Sequence, residues 1–202
     1  MFKAEEIIDI IKIHPLKVRN IYMFGSRVYE NHYDDSDYDF IVLASTMDEK
    51  KEYRHENLNI HVHVPNVFKD GLNKYYAPYI ECIFAPGFAK IQEKLSFCDF
   101  KINKDKLVDK GMKQAYSALH NAKMKLESGD LYRAVKSIYH SIRILDFFNQ
   151  IKEHDKIIDY TSSNYVWDML KVDFENDEYE WDYYKEKYLP IKIELENKIL
   201  LK

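Results

Sequence analysis

A change of apolar periodicity near residue 102 limits the fold of this chain more than any other feature. Before it, apolar residues gather in short runs of strand character, at Arg19 to Phe24, Asp37 to Ala44 and Leu58 to Val64. The last run alternates with period two, with Ile60, Val62 and Val64 on one face and Asn59, His61 and His63 on the other. The middle run is apolar on both sides after its first residues, which suits a central strand. Helices are expected over 3–12, where Ile7, Ile8 and Ile11 keep helical spacing and Pro15 closes the segment, and over 67–76. From about Ile102 strand signals stop. Leu107, Ala115, Leu119, Ala122 and Leu126 form one stripe over 105–127, and Ser128-Gly129-Asp130 makes a turn and cap. Further helices are expected over 131–151 and 182–200. Strands first and helices later indicate an α+β fold, with a small mixed-sheet domain over 1–100 and a helical domain over 101–202, packed tightly together.

The 202 residues suffice for a core without staples. A net charge of -4 with pI ≈ 6.1 argues against a general nucleic-acid coat, though a local basic groove on an acidic body fits. With 32% charged residues and five glycines the chain is not of the disordered type. Seventeen tyrosines supply amphipathic surface of the kind that lines clefts. Cys82 and Cys98 sit in apolar sequence without metal-ligand spacing and are expected as buried free thiols. No basic segment precedes an apolar one at the N-terminus, and no apolar run reaches spanning length, so a cytoplasmic protein without a membrane partner is expected.

The stretch FGSRVYENHYDDSDYDF carries the chemistry. A strand ending in Gly25-Ser26 turns sharply and presents N–H groups at a helix start, which suits phosphate oxygens. After ten intervening residues, Asp37 and Asp39 stand at i and i+2 on a strand and project from one face. Two carboxylates so placed suit one or two hard divalent cations, Mg²⁺ or Mn²⁺, of the kind that bridge nucleotide phosphates. A lone D-x-D would as readily be an acidic solvated loop with Asp34 and Asp35. The strand, Gly-Ser-Arg, Ser-Asp-x-Asp and the second apolar strand together favour a site.

This combination resembles the nucleotidyltransferases of the DNA polymerase beta superfamily. Ser-Arg-x-Tyr, Ser-Asp-Tyr-Asp, the segment Tyr79 to Phe84 and the run Lys136 to Arg143 (KSIYHSIR) are similar to the RNA-ligase-associated, polymerase-beta-like members. The similarity covers about residues 18–150 and is strongest at the Gly-Ser/D-x-D core. It implies a nucleotidyltransferase sheet domain with a helical partner, and a nucleoside triphosphate such as ATP as substrate. It implies catalytic and metal-binding roles for Asp37 and Asp39, and nucleotide-binding roles for Gly25, Ser26 and Arg27.

The superfamily pattern also places a third carboxylate on the strand after D-x-D. Here that strand offers His61 and His63. Imidazole prefers softer ions than magnesium, or would act as the base that takes a proton from an acceptor hydroxyl, so His61 joins the catalytic candidates. Glu56 and Glu81 are the alternative acids. Without a third acid the chain would be a weak catalyst or a nucleotide- or RNA-binding pseudoenzyme.

Arg133, Lys136, His140 and Arg143 fall on one face of the helix over 131–151, with Ile138, Ile142 and Leu145 on another. The family pattern Lys-x-x-x-His-x-x-Arg makes Lys136, His140 and Arg143 nucleotide-binding candidates that would grip phosphates; otherwise the row is a solvated face. Arg133 and His140 also resemble, weakly, the Arg-x(4–6)-His motif of HEPN ribonucleases, which would make the chain a ribonuclease or a toxin–antitoxin component. The leading expectation is transfer of a nucleoside monophosphate from a nucleoside triphosphate to a hydroxyl, with release of pyrophosphate. An RNA end is the favoured acceptor by family association, with a protein hydroxyl or a small molecule as alternatives.

Overall fold

The structure is a computed structural model that describes residues 2–34, 36–46, 51–176 and 180–201. Two compact units divide the chain, Met1–Lys101 and Ile102–Lys202.

The first unit is built on a five-stranded mixed sheet. Its elements in chain order are α1 (Ala4–Ile11), β1 (Val18–Phe24), α2 (Ser26–Tyr29), β2 (Tyr38–Ala44), β3 (Glu52–His55), β4 (Leu58–His63), α3 (Pro65–Asn73), α4 (Ala77–Phe84) and β5 (Lys90–Glu93). The strand order is β3-β4-β2-β1-β5. β1 is antiparallel to both β2 and β5, whereas β2 and β4 run parallel. β2 is central and buried from Phe40 to Ala44, as its unbroken apolar run requires. β4 alternates, burying Leu58, Ile60 and Val62 and leaving Asn59, His61 and His63 half-buried on the opposite face.

Local chemistry sets the boundaries. α1 starts where the Lys3 backbone N–H donates to Glu6 Oε2 at 2.7 Å, buries Ile7, Ile8 and Ile11, and stops at Lys12, whose φ is 54°. α3 runs from Pro65, a residue that suits a first helical position, and the chain then turns at Tyr75 with φ 57°. Under the sheet, Tyr22 stacks on Phe68 at 5.9 Å, and Phe68 meets Tyr79 and Phe97 at 5.0 Å each.

The edge strand β5 is clipped to β1 by one buried amide. Asn20, fully buried, accepts from the backbone N–H groups of Lys94 (3.1 Å) and Leu95 (2.8 Å). Its Nδ2 donates to the Leu95 carbonyl at 2.8 Å and to Tyr22 Oη at 2.5 Å, and Tyr22 Oη donates to Glu93 at 3.0 Å. Both ends of the side chain are thus satisfied, the condition for burying an amide.

The second unit is helical: α5 (Lys104–Glu127), α6 (Leu131–His154), α7 (Asn164–Glu175) and α8 (Trp181–Leu201). The expected stripe on α5 is buried at Leu107, Ala115, Ala122 and Leu126, and the α5–α6 turn uses Gly129 at φ 80°. α6 is buried on nearly every side from Ser137 onward and packs with α7 and α8 around Ile138, Ile142, Trp167, Leu170, Tyr184 and Tyr188. Gln150 fastens the α6–α7 connection: its Oε1 accepts from the N–H groups of Ile158 and Asp159, and its Nε2 donates to the Asp159 carbonyl and Ser162 Oγ, all at 2.9 Å.

Gly111 on α5 faces Phe148 on α6, where an added Cβ would lie 2.4 Å from the ring. Phe148 is 1% exposed and has nowhere to retreat. Gly111→Ala should therefore destabilise the protein by up to about 2 kcal/mol in urea unfolding, because overpacking of about 1–3 kcal/mol outweighs the helix-propensity gain of about 1. Equal or greater stability would mean that the helices separate freely there.

Several elements differ from the sequence expectation. β3 and β5 were not anticipated, and neither was α7. Glu81 was placed after a helix but lies inside α4. Cys82 is buried as expected, whereas Cys98 is exposed because its segment lies outside the apolar core. Among the described residues no helix is long and apolar enough to cross a membrane.

Candidate active site

Antiparallel pairing of β1 with β2 places Phe24 opposite Asp39, so the residue after Phe24 arrives beside that carboxylate. That residue is Gly25, at φ 84° and ψ -163°, a conformation open essentially to glycine alone. A Cβ on Gly25 would lie 2.8 Å from Asp39 Oδ2. Glycine is thus required twice, by its backbone angles and by the close approach of the carboxylate. Gly25 caps α2, whose first turn is tied by the Val28 N–H to the Gly25 carbonyl at 2.9 Å. Ser26 and Arg27 open that turn, and the first N–H groups of a helix lack intrahelical acceptors.

Asp37 is exposed just before β2, and Asp39 is half-buried within it. The connection that carries Asp37 is shaped by Arg27, whose Nη2 donates to the carbonyls of Asp34 (2.9 Å) and Ser36 (2.8 Å). The guanidinium also lies over the Tyr38 ring at 4.3 Å. Arg27 was expected to bind phosphate; in this arrangement it braces the loop between Gly25 and Asp37. Asp35 lies outside the described residues.

The parallel register of β2 and β4 sets Asn59 opposite Asp39 and His61 opposite Ile41. Asn59 was not among the candidates, yet its Nδ2 donates to Asp39 Oδ1 at 3.0 Å and lies 3.2 Å from His61 Nε2. Because an amide nitrogen only donates, His61 Nε2 accepts and is unprotonated in this arrangement. His61 also lies near the Phe24 ring, at 6.4 Å. His63 is a step further along, with its ring 5.6 Å from that of Tyr79. Burial first, then the charges of His61 and Lys51, lower its pKa.

The alternative acids stand on other elements of the sheet unit. Glu56 is exposed at the β3–β4 turn with φ 50°. Glu81 is 3% exposed on α4 and accepts a hydrogen bond from Tyr29 Oη. Among the described residues no group of three or more His, Cys, Asp or Glu side chains is arranged to hold a metal ion. Asp37 and Asp39, two positions apart at the start of β2, are both hard oxygen donors. That donor set fits Mg²⁺ or Mn²⁺, which commonly bind one or two carboxylates together with substrate phosphates.

In the helical unit the row from Arg133 to Arg143 is not uniform. Arg133 and Lys136 are exposed, His140 is half-buried, and Arg143 is buried at 5% exposure. Arg143 Nη2 lies 2.7 Å from His140 Nδ1, and an arginine only donates, so Nδ1 accepts and the imidazole proton sits on Nε2. Burial, followed by the charges of Arg143, Lys136 and Lys125, pushes the His140 pKa down to about 3. A neutral histidine engaged in this way is a poor ribonuclease base. Arg133 pairs instead with Asp130 at 3.3 Å, so the Arg133–His140 motif is not assembled within the helix.

His140 predicts a pH dependence of stability. Its folded pKa lies below the ordinary value of 6.5, so the unfolded chain binds the proton first as pH falls. The stabilisation is complete above about pH 6.5 and is lost as pH falls toward 3, at up to ~1.4 kcal/mol per pH unit. Acid unfolding of His140→Gln should show a shallower slope between about pH 6 and 4; identical slopes would show that His140 protonates freely in the folded state.

The family described as Polymerase beta, Nucleotidyltransferase matches residues 5–71. No curated protein matches the chain. Among solved structures, the spectinomycin adenyltransferase AAD(9) from Enterococcus faecialis, determined with ATP and spectinomycin, is similar at 14% identity and TM-score 0.47, over 98% of this chain and 100% of that one. A nucleotidyltransferase-like protein from Exiguobacterium sibiricum 255-15 is similar at 13% identity and TM-score 0.33, over 98% of this chain and 74% of that one. The matched segment runs from α1 into α3 and contains the Gly25 turn, Asp37 and Asp39: over residues 5–71 this chain matches the polymerase beta nucleotidyltransferase family.

Proposed function

We propose that this chain transfers a nucleoside monophosphate from a nucleoside triphosphate to a hydroxyl group and releases pyrophosphate. The observation that carries the reading is the placement of Asp39 against the Gly25 turn, which supports reading the turn as the phosphate site and the carboxylate as a metal ligand. Asp37 and Asp39 would hold Mg²⁺ or Mn²⁺, which when bound neutralises charge on the phosphates and on the departing pyrophosphate. The N–H groups at the start of α2 orient the triphosphate. The acceptor oxygen forms a bond to the α-phosphorus, the bond from that phosphorus to the bridging oxygen breaks, and pyrophosphate carries away the electron pair. His61, with Nε2 unprotonated, takes the hydroxyl proton after exchanging Asn59 for the acceptor. Positioning and charge neutralisation supply most of the acceleration.

A row of displayed cations would favour an RNA backbone, but burial of Arg143 and neutrality of His140 shorten that row to Arg133 and Lys136. RNA, protein hydroxyls and small polyols are accordingly parallel arms of the assay. The protein is incubated with each α-labelled nucleoside triphosphate and Mg²⁺ or Mn²⁺, and pyrophosphate release and label transfer are followed. Transfer that disappears in Asp37→Ala and Asp39→Ala supports the reading. Nucleotide binding without turnover in every arm favours a second one, a nucleotide-binding protein, to which the amide of Asn59 opposite Asp39 lends weight.

A further inference from the structure

Asp39 is held from two sides. Gly25 lies under Oδ2, and Asn59 Nδ2 donates to Oδ1 at 3.0 Å while its second hydrogen is directed to His61 Nε2 at 3.2 Å. The other end of the same amide is unsatisfied: Asn59 Oδ1 is buried and has no hydrogen-bond partner among the described residues. A buried carbonyl oxygen left in this way is costly and commonly marks a place where an ion or water completes the structure.

We infer that Asn59 governs how the Asp37–Asp39 pair takes up its divalent cation, making uptake depend on the triphosphate that accompanies it. This rests on the nucleotidyltransferase reading of the site. Two physical terms weaken the uptake of a free cation, and a third lets the amide help to hold a cation already drawn in. An N–H aimed at Asp39 Oδ1 competes with a cation for that oxygen. A neutral amide supplies a dipole where a carboxylate would supply a full charge, and a full charge attracts a divalent cation more strongly at contact distance. The amide also has a second arrangement: turning end for end brings the orphaned Oδ1 toward Asp39, which is repulsive unless a cation lies between them. Asn59 therefore holds Asp39 in place without cation, and becomes an oxygen donor once phosphate charge has drawn the cation in. It is a positioning residue with a conditional ligand role.

The test is Mn²⁺ binding to the full chain by relaxation titration, with and without a non-hydrolysable ATP analogue, in wild type, Asn59→Asp, Asn59→Leu and Asp39→Asn, with circular dichroism as a check of folding. Wild type should bind free Mn²⁺ weakly and at least about tenfold more tightly with the analogue. Asn59→Asp should bind free Mn²⁺ at least about tenfold more tightly than wild type without nucleotide. Asn59→Leu, which keeps the volume and removes the donor and acceptor, should weaken the complex with Mn²⁺ and analogue several-fold; should Asn59→Asp not fold, this variant decides. Equal affinities in wild type and the Asn59 variants, with binding lost in Asp39→Asn, overturn the role of Asn59 and leave the proposed function standing. Unchanged Mn²⁺ binding in Asp39→Asn, with and without the analogue, overturns both.

Discussion

Asp39→Asn should lower nucleotidyl transfer by about a thousandfold or more, while its thermal midpoint stays within a few degrees of wild type. The asparagine keeps the shape of the side chain, and its oxygen still accepts from Asn59 Nδ2, so the contact between β2 and β4 persists. What disappears is the negative charge that, under the proposed function, draws in a divalent cation together with Asp37. Stability and rate therefore separate in this variant, and both are measurable on one preparation by calorimetry and pyrophosphate release. A rate within tenfold of wild type would remove Asp39 from the chemistry.

Gly25→Ala should be nearly as damaging, by a different route. At φ 84° and ψ -163° an alanine is strained by about 1–3 kcal/mol. Its Cβ would also sit 2.8 Å from Asp39 Oδ2, so the carboxylate or the turn must shift. Misplacement of a reacting group by about an ångström costs on the order of a hundredfold in rate. The expected result is a loss of at least about that size, together with about 1–3 kcal/mol of stability in denaturant titration. Gly87→Ala is the control, because no atom lies within 4 Å of its added Cβ and its φ is ordinary. Loss of stability in Gly25→Ala with unchanged activity would show that the turn does not touch substrate.

The sequence made the centre of the sheet legible and the edges obscure. β2 was visible because a strand buried on both faces is an unbroken apolar run, and β4 because one buried face imposes alternation. β3 (EYRH) and β5 (KIQE) are four-residue edge strands dominated by polar residues, and pairing partners rather than burial define them. Alternation did place Asn59 on the face of His61 and His63. Which of the three meets Asp39 depends on the register between β2 and β4, a tertiary quantity absent from either strand. The cation row on α6 shows the converse problem. Helical spacing put Arg133, Lys136, His140 and Arg143 on one face, but α6 is buried nearly all round in its later turns, so Arg143 went inside and took His140 as an acceptor. Arg27 was legible as a cation beside the turn; the carbonyls of Asp34 and Ser36 that claim it come from a loop without periodicity.

The clip at Asn20 bears on where this protein can be cut. The family match ends at residue 71, yet β1, which leads into the Gly25 turn, is flanked on one side by β5, some twenty residues further on. A fragment ending with the match would strip β1 of that neighbour, leave the fully buried Asn20 without its three backbone partners at Lys94 and Leu95, and leave Tyr22 without Glu93. The Gly25 turn would then hang from a strand with a raw edge, prone to pair with another molecule. For dissection, expression or grafting, the smallest sensible piece of the sheet unit is one that retains the chain through Leu95; the border of resemblance is not the border of folding.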